Sequence, residues 1–418
     1  MSCFDYIIVG GGSSGATLAG RLTADPSVKV LLLEAGPSDE SLKIKVPLGY
    51  GSLFYDQKFN WKYETEPEPE LNGRRMYWPR GKVLGGSSAI NAMVYVRGHP
   101  NDYAEWADVA PSWNWSNVEP YFKKIESWKG EDSPVRGKSG PVGVSNVEKD
   151  IHPLTNKYLE AGQELGFPYN RDYNGNHMEG VSVYQTTTSN GLRVSTASAY
   201  IAKKKRSKNL QVISNAHVTK LIFEGKRVIG VSFSQGNKET KVLTRGEVIL
   251  SAGALNSPQL LYLSGLGPAN ELKSHGISIL QDMPHVGRHL QDHIGVDFTL
   301  LVNRPSLNQK LRRVLGKLMV GLEYFFLRSG PLAMSLNQAG GFVKSDASLV
   351  SPDLQLYFSP LSYSTAPQGK RPLMSPDPYP AVRLGFNPTK PTSEGWISLE
   401  SSDPRKSPKF VGNYLSTE

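Results

Sequence analysis

The stretch that decides the fold stands at the start of the chain and reads Asp5-Tyr6-Ile7-Ile8-Val9-Gly10-Gly11-Gly12-Ser13-Ser14-Gly15. Its first half is mostly apolar and β-branched, which predicts a short buried strand that ends at glycine. Glycines at the first, third and sixth positions of residues 10–15 fit the pattern G-x-G-x-x-G, and apolar residues then recur at helical spacing as far as Leu22. A second apolar run, residues 28–33, ends in Glu34. Strand, glycine turn, helix, strand and acid together predict a βαβ unit that binds a dinucleotide.

Each glycine of this pattern has a physical task. Gly10 makes the tight turn, Gly12 lets the backbone approach a pyrophosphate, and Gly15 lets helix and strand pack closely. The N-terminus of the helix offers unpaired N–H groups and the positive end of its dipole to phosphates. Glu34 follows Gly15 at about the 20-residue distance expected of the acid that accepts hydrogen bonds from ribose hydroxyls.

A rival interpretation exists for the same residues. The run from Gly11 to Gly15 also fits G-x-S-x-G, the nucleophile elbow of α/β-hydrolases, with Ser13 as nucleophile. That elbow follows earlier strands of its own sheet, whereas only residues 1–4 precede the strand here. The order of elements therefore favours the dinucleotide-binding unit.

Composition sets limits on the rest of the molecule. A chain of 418 residues predicts two domains. Cys3 is the only cysteine, so no internal disulfide and no cysteine-based metal site is expected. No run is apolar enough to cross a membrane, and the early first strand leaves no room for a signal peptide, which predicts a cytoplasmic protein. The net charge of +9 leaves association with the inner face of a membrane open. The densest basic run, residues 203–206, is short and predicts a solvated turn, so no nucleic-acid partner is expected.

Further segments carry expectations about local structure. Glutamates alternate with Thr and Pro over residues 64–70, which predicts an extended solvated segment. A second glycine-rich stretch, residues 81–91, predicts another backbone anion site at the start of a small-residue helix. Two separate strands are predicted at residues 241–243 and 247–251. A helix is predicted to follow them, with Asn256 or Ser257 as its N-cap and Pro258 near its first position.

Three stretches together resemble the glucose–methanol–choline (GMC) oxidoreductases, which are FAD enzymes. They are the N-terminal βαβ unit, residues 81–91, and residues 253–267, which read GALNSPQLLYLSGLG. The resemblance covers essentially the whole chain. It implies an α/β fold (α+β overall), in which a Rossmann-like FAD-binding domain is interleaved with a substrate domain built on an antiparallel sheet with helices. The expected segments are 1–150 and 191–295 for the FAD-binding domain, and 151–190 and 296–418 for the substrate domain.

The resemblance also implies cofactor residues. By similarity, the residues that hold the pyrophosphate are Gly10, Gly12, Ser13, Ser14 and Gly15, and Glu34 holds the ribose. Those along the diphosphate and isoalloxazine are Val83, Ser87, Asn91, Ala92 and Val94, and Val218 meets the adenine through its backbone. Core packing is the alternative for Val83, Val94 and Val218. Some members attach FAD through a histidine where this chain has Ile90, so the resemblance implies a non-covalent FAD.

In this family a histidine takes the alcohol proton as hydride passes to flavin N5, together with a second histidine or an asparagine. The resemblance places this pair beyond Glu418, so no catalytic residue is assigned and the 418-residue chain is expected to be inactive. The implied activity is oxidation of a primary alcohol to an aldehyde, with oxygen or a quinone-like molecule as electron acceptor. The alternatives are a non-oxidative FAD enzyme of the hydroxynitrile lyase or photodecarboxylase type, and a catalytically inactive nucleotide-binding fragment.

Two observations bear on metals and substrate. His285, His289 and His293 are spaced i, i+4, i+8, but prolines and glycines interrupt a helix there, and no metal site is expected. Choline-oxidising members carry a glutamate two residues after the last of these histidines, where this chain has Gly295. The resemblance therefore favours an uncharged alcohol over choline, and the nearest acid in sequence that could compensate is Asp297, on the same strand face as Gly295.

Overall fold

The computed structural model describes residues 4–204, 207–363 and 376–417, so Cys3, Lys205 and Arg206 lie outside the described residues. The helices, numbered in chain order, are α1 Ser13–Leu22, α2 Leu42–Lys45, α3 Tyr50–Leu53, α4 Pro100–Val109, α5 Trp115–Ile125, α6 Pro153–Glu164, α7 Gly253–Leu263, α8 Ala269–Ser274, α9 Leu307–Arg312 and α10 Val314–Leu327. The strands are β1 Phe4–Val9, β2 Val30–Leu33, β3 Tyr63–Glu64, β4 Tyr77–Trp78, β5 Glu126–Trp128, β6 Val142–Val144, β7 Gly180–Val183, β8 Thr188–Ser189, β9 Leu192–Arg193, β10 Leu210–Ile213, β11 His217–Glu224, β12 Arg227–Gln235, β13 Lys238–Leu250, β14 Leu266–Gly267, β15 Gln281–Asp282, β16 Arg288–Leu290, β17 Val296–Leu301, β18 Ala339–Val343, β19 Leu354–Ser359, β20 Ala381–Pro388, β21 Gly395–Ser398 and β22 Lys409–Val411.

A six-stranded sheet in the order β10-β2-β1-β13-β12-β11 forms the first layer. Strands β10, β2, β1 and β13 run parallel, and β12 and β11 continue the sheet antiparallel. Parallel strands are covered on both faces and read as continuous apolar runs. Ile7 on one face and Ile8 on the other are both fully buried, in two separate core clusters. The predicted βαβ unit is therefore confirmed, with β1 at the centre of the sheet.

The second layer is a five-stranded antiparallel sheet in the order β17-β20-β19-β18-β7. Strand β7 comes from the segment predicted at 151–190, and the other four strands come from the segment predicted at 296–418. Helix α6 packs on this sheet through Leu159, which joins a cluster with Val181 and Phe358. The predicted α/β fold with an antiparallel substrate sheet is confirmed, while the division into two domains stays a prediction.

Local structure departs from the sequence prediction at three elements. The glycine-rich stretch 81–91 leads only into a single 3₁₀ turn, Gly86–Ala89, and no small-residue helix follows. The two strand patterns at 241–251 belong to one 13-residue strand, β13. Helix α7 begins at Gly253, so Pro258 lies inside the helix and neither Asn256 nor Ser257 is its cap. Because proline has no N–H, the carbonyl of Ala254 lacks the usual helical partner.

The prediction of a solvated segment at residues 64–70 is wrong for Glu68. This side chain is fully buried, and its two carboxylate oxygens accept hydrogen bonds from the backbone N–H groups of Gly412 and Asn413, each at 2.8 Å. A buried carboxylate requires such partners, because its desolvation is otherwise very unfavourable. Glu68 thus ties the segment after β3 to the segment after β22, a contact that lies 344 residues apart in sequence.

Candidate active site

A cavity of 470 Å³ opens at the carboxyl ends of β1, β2 and β13, where Val9, Leu33 and Leu250 line it. Ligands of open α/β sheets bind at this edge. The predicted cofactor residues that line the cavity are Gly10, Gly12, Ser13, Ser14, Glu34, Ser87 and Val218. The other predicted residues, Gly15, Val83, Asn91, Ala92 and Val94, lie outside its wall.

The glycine turn has the close contacts that its pattern predicts. Gly10 has φ +96°, a conformation that side chains other than glycine rarely adopt. At Gly15 an added Cβ would lie 1.9 Å from the carbonyl oxygen of Gly10, so α1 starts directly against the end of β1. Gly15 therefore acts through packing, while the exposed Ser13 and Ser14 stand at the cavity end of α1.

The second glycine-rich stretch folds against the first one. The N–H of Gly85 donates to the carbonyl of Gly11 at 2.7 Å, and an added Cβ on Gly86 would lie 2.7 Å from the Cα of Gly12. Only glycines allow two backbone turns to meet at this distance. The N-terminus of α1 and the exposed hydroxyl of Ser87 face the same cavity. This cradle of backbone N–H groups and hydroxyls fits the pyrophosphate of a dinucleotide.

Glu34 ends β2 and is buried at the cavity wall. Its Oε2 accepts a hydrogen bond from the N–H of Gly11, and its Oε1 accepts one from the N–H of Gly36, both at 2.8 Å. Burial raises the pKa of Glu34 to about 7, although these two N–H groups and the nearby Lys82 oppose that shift. Since a carboxylate has about four acceptor sites, Glu34 can still accept from ribose hydroxyls.

Trp61 and His217 also line the cavity, and the sequence did not predict them as site residues. Trp61 packs edge-on against His217 at 5.8 Å between ring centroids, and it stacks on Tyr63 at 5.7 Å. The His217 Nε2 lies 3.0 Å from the carbonyl oxygen of Pro404. Burial lowers the pKa of His217, which keeps this ring neutral at pH 7. Trp61, His217 and Val218 form an uncharged part of the cavity wall of the kind that suits an adenine.

The residues that resemblance assigns to the isoalloxazine side pack into the protein. Val83 is fully buried in a cluster with Leu53 and Ile90, and Val94 packs against a cluster that contains Tyr173 and Tyr184. Ala92 packs against another buried cluster. The contacts of Val83 and Val94 are those of core packing, which was the alternative to a role in cofactor binding.

Asn91 is held by a buried cation that carries no sequence signal of its own. Arg193 Nη1 donates to Asn91 Oδ1 at 2.9 Å and to the carbonyl of Ser88 at 3.2 Å, and Nε donates to the carbonyl of Ile44 at 3.0 Å. Its Nη2 is buried without a hydrogen-bond partner. Burial lowers the pKa of Arg193 to about 10. Arg193 thus fixes the stretch that contains Ser88 and Asn91.

The three spaced histidines do not converge. The rings of His285 and His289 stack, His289 Nδ1 pairs with Glu394, and His293 Nε2 contacts the carbonyl of Thr389 at 3.0 Å. Among residues 4–204, 207–363 and 376–417, no three His, Cys, Asp or Glu side chains group as metal ligands. In the same ranges no helix is both long and apolar enough to span a bilayer.

Two contacts define the surroundings of the position where choline-oxidising members carry glutamate. An added Cβ at Gly295 would lie 3.2 Å from the carbonyl oxygen of Phe386, which leaves little room. Asp297, the acid two residues further on, forms a 2.8 Å salt bridge with Arg383. The guanidinium of Arg383 also lies over the Tyr363 ring at 4.4 Å. The charge of Asp297 is therefore already matched by a cation.

Comparisons with known proteins agree with this site. The family model of the GMC oxidoreductases matches residues 4–295. The chain is 42% identical to an alcohol dehydrogenase [acceptor] of Pseudomonas putida and 40% identical to the mitochondrial choline dehydrogenase of Homo sapiens. It covers 74% and 70% of those proteins, and 99% of this chain aligns with each.

Solved structures of two oxidases are also similar to this chain. A formate oxidase superposes with a TM-score of 0.90 at 28% identity, covering all of this chain and 78% of the oxidase. Pyridoxine 4-oxidase from Mesorbium loti superposes with a TM-score of 0.87 at 30% identity, covering all of this chain and 77% of that protein. The predicted cofactor, FAD, is confirmed by these relatives, and the two glycine-rich turns and Glu34 at the cavity fit its pyrophosphate and ribose. The chain belongs to the glucose–methanol–choline oxidoreductases, a family of FAD-dependent enzymes.

Proposed function

We propose that this chain forms the FAD-binding and substrate-binding parts of an enzyme that oxidises an uncharged primary alcohol to its aldehyde. The observation that supports this most is the 470 Å³ cavity in which the two glycine-rich turns, Glu34 and the start of α7 face one another. When bound, FAD supplies a hydride acceptor at N5. The hydroxyl proton goes to a histidine base that the family resemblance places after Glu418.

The residues of the chain bind and orient the cofactor in this proposal. Gly10, Gly12, Ser13, Ser14 and Ser87 hold the pyrophosphate through N–H groups and hydroxyls, and Glu34 accepts from the ribose. Trp61 and the backbone of Val218 form the adenine wall. Arg193 would hold Asn91, which the resemblance assigns to the isoalloxazine side, and no carboxylate among the described residues forms a salt bridge with it, so its charge would favour negative charge on a bound flavin.

FAD is held without a covalent bond in this proposal, because Ile90 is a buried hydrocarbon side chain where some relatives have a histidine. Acid precipitation of the purified protein, followed by mass spectrometry of the supernatant, is expected to release intact FAD. Flavin that remains in the protein pellet would contradict the assignment, as would a released nicotinamide nucleotide.

The proposed substrate is uncharged because Asp297, the acid nearest to Gly295 in sequence, is paired. A quaternary ammonium needs an unmatched carboxylate or an aromatic cage, and Asp297 already neutralises Arg383. The relatives include both alcohol and choline dehydrogenases, so the experiment compares the two substrate classes directly. The protein used is FAD-loaded and includes the histidine segment that is proposed to follow Glu418. It is mixed anaerobically and in the dark with choline or with an uncharged primary alcohol of similar size, and flavin absorbance is followed.

Bleaching by the alcohol in the dark is expected, with a larger kcat/KM for the alcohol than for choline. This result would also exclude the light-driven and the non-oxidative alternatives, because neither reduces the flavin with an alcohol. A preference for choline would refute the proposed substrate class. A flavin that stays oxidised with both compounds would refute the proposed reaction.

We further propose a quinone-like electron acceptor and a peripheral location at the cytoplasmic face of a membrane. The relative from Pseudomonas putida is an alcohol dehydrogenase named for an acceptor, and the net charge of +9 favours anionic surfaces. Reoxidation of the reduced flavin by a soluble quinone is expected to be faster than reoxidation by oxygen. Faster reoxidation by air would make the protein an oxidase instead.

A further inference from the structure

Helix α10 presents an apolar face that nothing in the described chain covers. Its inward side is held by Val320 and Tyr324, which are both buried. Its other large apolar residues are exposed, from Val314 at 85% to Phe326 at 72%. Soluble helices normally turn a polar side to water, so a helix that is apolar on both sides has a second apolar environment.

The exposed residues form one continuous stripe. Successive residues of a helix are separated by about 100°. On that basis seven exposed side chains lie opposite Val320 and Tyr324, within an arc of about 140° around the helix axis. They are Val314, Leu315, Leu318, Met319, Leu322, Phe325 and Phe326. We call these seven residues the α10 apolar face. Its extent, with two adjacent phenylalanines at one end, exceeds the single exposed apolar residues that are ordinary on protein surfaces.

Four cations lie at the two ends and along one edge of this face. Arg312, Arg313 and Lys317 are exposed around the start of α10, and Arg328 is exposed at its end. Within the described ranges none of these four forms a salt bridge with a carboxylate. The one acid on the helix, Glu323, lies 3.5 Å from Lys310 and is already paired. The rim of the α10 apolar face is therefore positively charged.

We propose that the α10 apolar face is the surface by which this protein binds an anionic lipid bilayer, lying in the interface with its phenylalanines among the acyl chains. An apolar stripe between basic residues is the pattern of helices that lie in the membrane plane. Charge complementarity selects this occupant over a second copy of the chain, because two copies would bring together eight cations that form no salt bridge within the described residues. The inference specifies the surface for the membrane location proposed above, and it does not depend on the identity of the alcohol.

The test measures binding of the FAD-loaded full-length protein to vesicles of phosphatidylcholine, with and without phosphatidylglycerol, by flotation. Binding to the anionic vesicles is expected, and added salt is expected to weaken it. The double variant Phe325→Ser/Phe326→Ser is expected to bind about 100-fold more weakly, since two large apolar side chains no longer insert. The double variant Arg312→Gln/Arg313→Gln is expected to lose about 10- to 30-fold on anionic vesicles.

A matched control is Leu165→Ser/Val350→Ser, which removes two exposed apolar side chains far from α10 in sequence and is expected to leave vesicle binding unchanged. The fraction of bound FAD and the melting temperature confirm that each variant is folded. Equal vesicle binding by the phenylalanine variant and the wild type would overturn the proposal. Absence of vesicle binding would also overturn it; a concentration-dependent dimer that the phenylalanine variant abolishes would then assign the face to self-association. Flavin reduction by alcohol, measured without vesicles, reports separately on the proposed reaction.

Discussion

Glu34 connects the fold and the cofactor through a single carboxyl group. Its pKa of about 7 means that the group is about half protonated at neutral pH when no ligand donates to it. Ribose hydroxyls donate to the ionised form, so FAD binding releases the proton. FAD affinity is therefore expected to rise with pH up to about 7, by at most about tenfold per pH unit, and to level off above. Titration of the apoprotein with FAD, followed by flavin fluorescence from pH 5.5 to pH 8, measures this dependence.

Glu34→Gln is the more informative variant, because it leaves one of the buried N–H groups of Gly11 and Gly36 without an acceptor, whereas Glu34→Ala leaves both unpaired. The glutamine variant is expected to bind FAD about tenfold more weakly at pH 8, and its affinity should not change with pH. A wild-type affinity that is flat across this range would show that FAD binding does not involve ionisation of Glu34.

Gly15 is expected to tolerate no side chain. In Gly15→Ala the new methyl group would lie 1.9 Å from the Gly10 oxygen and 2.6 Å from Ser251 Oγ, so α1 must move away from β1. The expected cost is about 1–3 kcal/mol of unfolding free energy, together with weaker FAD binding. Urea denaturation of apoprotein and FAD titration measure the two effects.

Gly321→Ala is the matched control for this substitution. Gly321 lies inside α10, and an added Cβ there has no heavy atom within 4 Å. Alanine is a better helix former than glycine, so this variant is expected to gain about 0.5–1 kcal/mol. A Gly15→Ala protein as stable as this control would contradict the close packing of α1 on β1.

At the scale of elements, β5 begins with a carboxylate that joins two distant loops. Glu126 is fully buried and accepts from Arg97 at 2.9 Å, from Arg136 at 2.8 Å and from the N–H of Gly137 at 2.8 Å. Glu126→Gln would leave two buried guanidinium groups with too little negative charge, and is expected to destabilise the protein by about 3–5 kcal/mol. Asp132→Asn, which removes the exposed partner of Lys138, is expected to change stability by less than about 0.5 kcal/mol. Equal thermal stability of the two variants would contradict the role of burial.

The sequence predicts the elements whose signals are local. The strand, turn and helix at residues 4–22 follow from apolar runs and glycine spacing, and the structure has them there. The burial of Glu68 could not be predicted, because it depends on N–H groups that lie 344 and 345 residues away. Arg193 and Trp61 present the same difficulty, since a basic residue in the two-residue strand β9 and an aromatic residue in a loop have no periodic pattern around them. Pro258 shows the opposite error, because a rule about helix starts was applied where the helix already begins at Gly253.

At the scale of the whole molecule, the cavity brings together residues from Val9 to Pro404. A ligand bound there contacts segments that lie far apart in the sequence. Saturating FAD, at about 100 times its dissociation constant, is expected to stabilise the folded state by about 2.7 kcal/mol. The melting temperature should rise by several degrees with FAD and stay unchanged with NAD. Equal shifts with both nucleotides would contradict selectivity for the flavin.

The position of β1 between β2 and β13 also has a consequence for biosynthesis. Strand β1 leaves the ribosome well before its parallel partner β13, which ends at Leu250. At about 5–20 residues per second, the nascent chain carries one unpaired edge of β1 for roughly 12–50 s. Sequential folding from the N-terminus cannot complete the nucleotide cradle during that time, so the cofactor is loaded only after more than half of the 418 residues have been translated. Until then, protection of this edge falls to the ribosome surface and to chaperones that bind apolar strands.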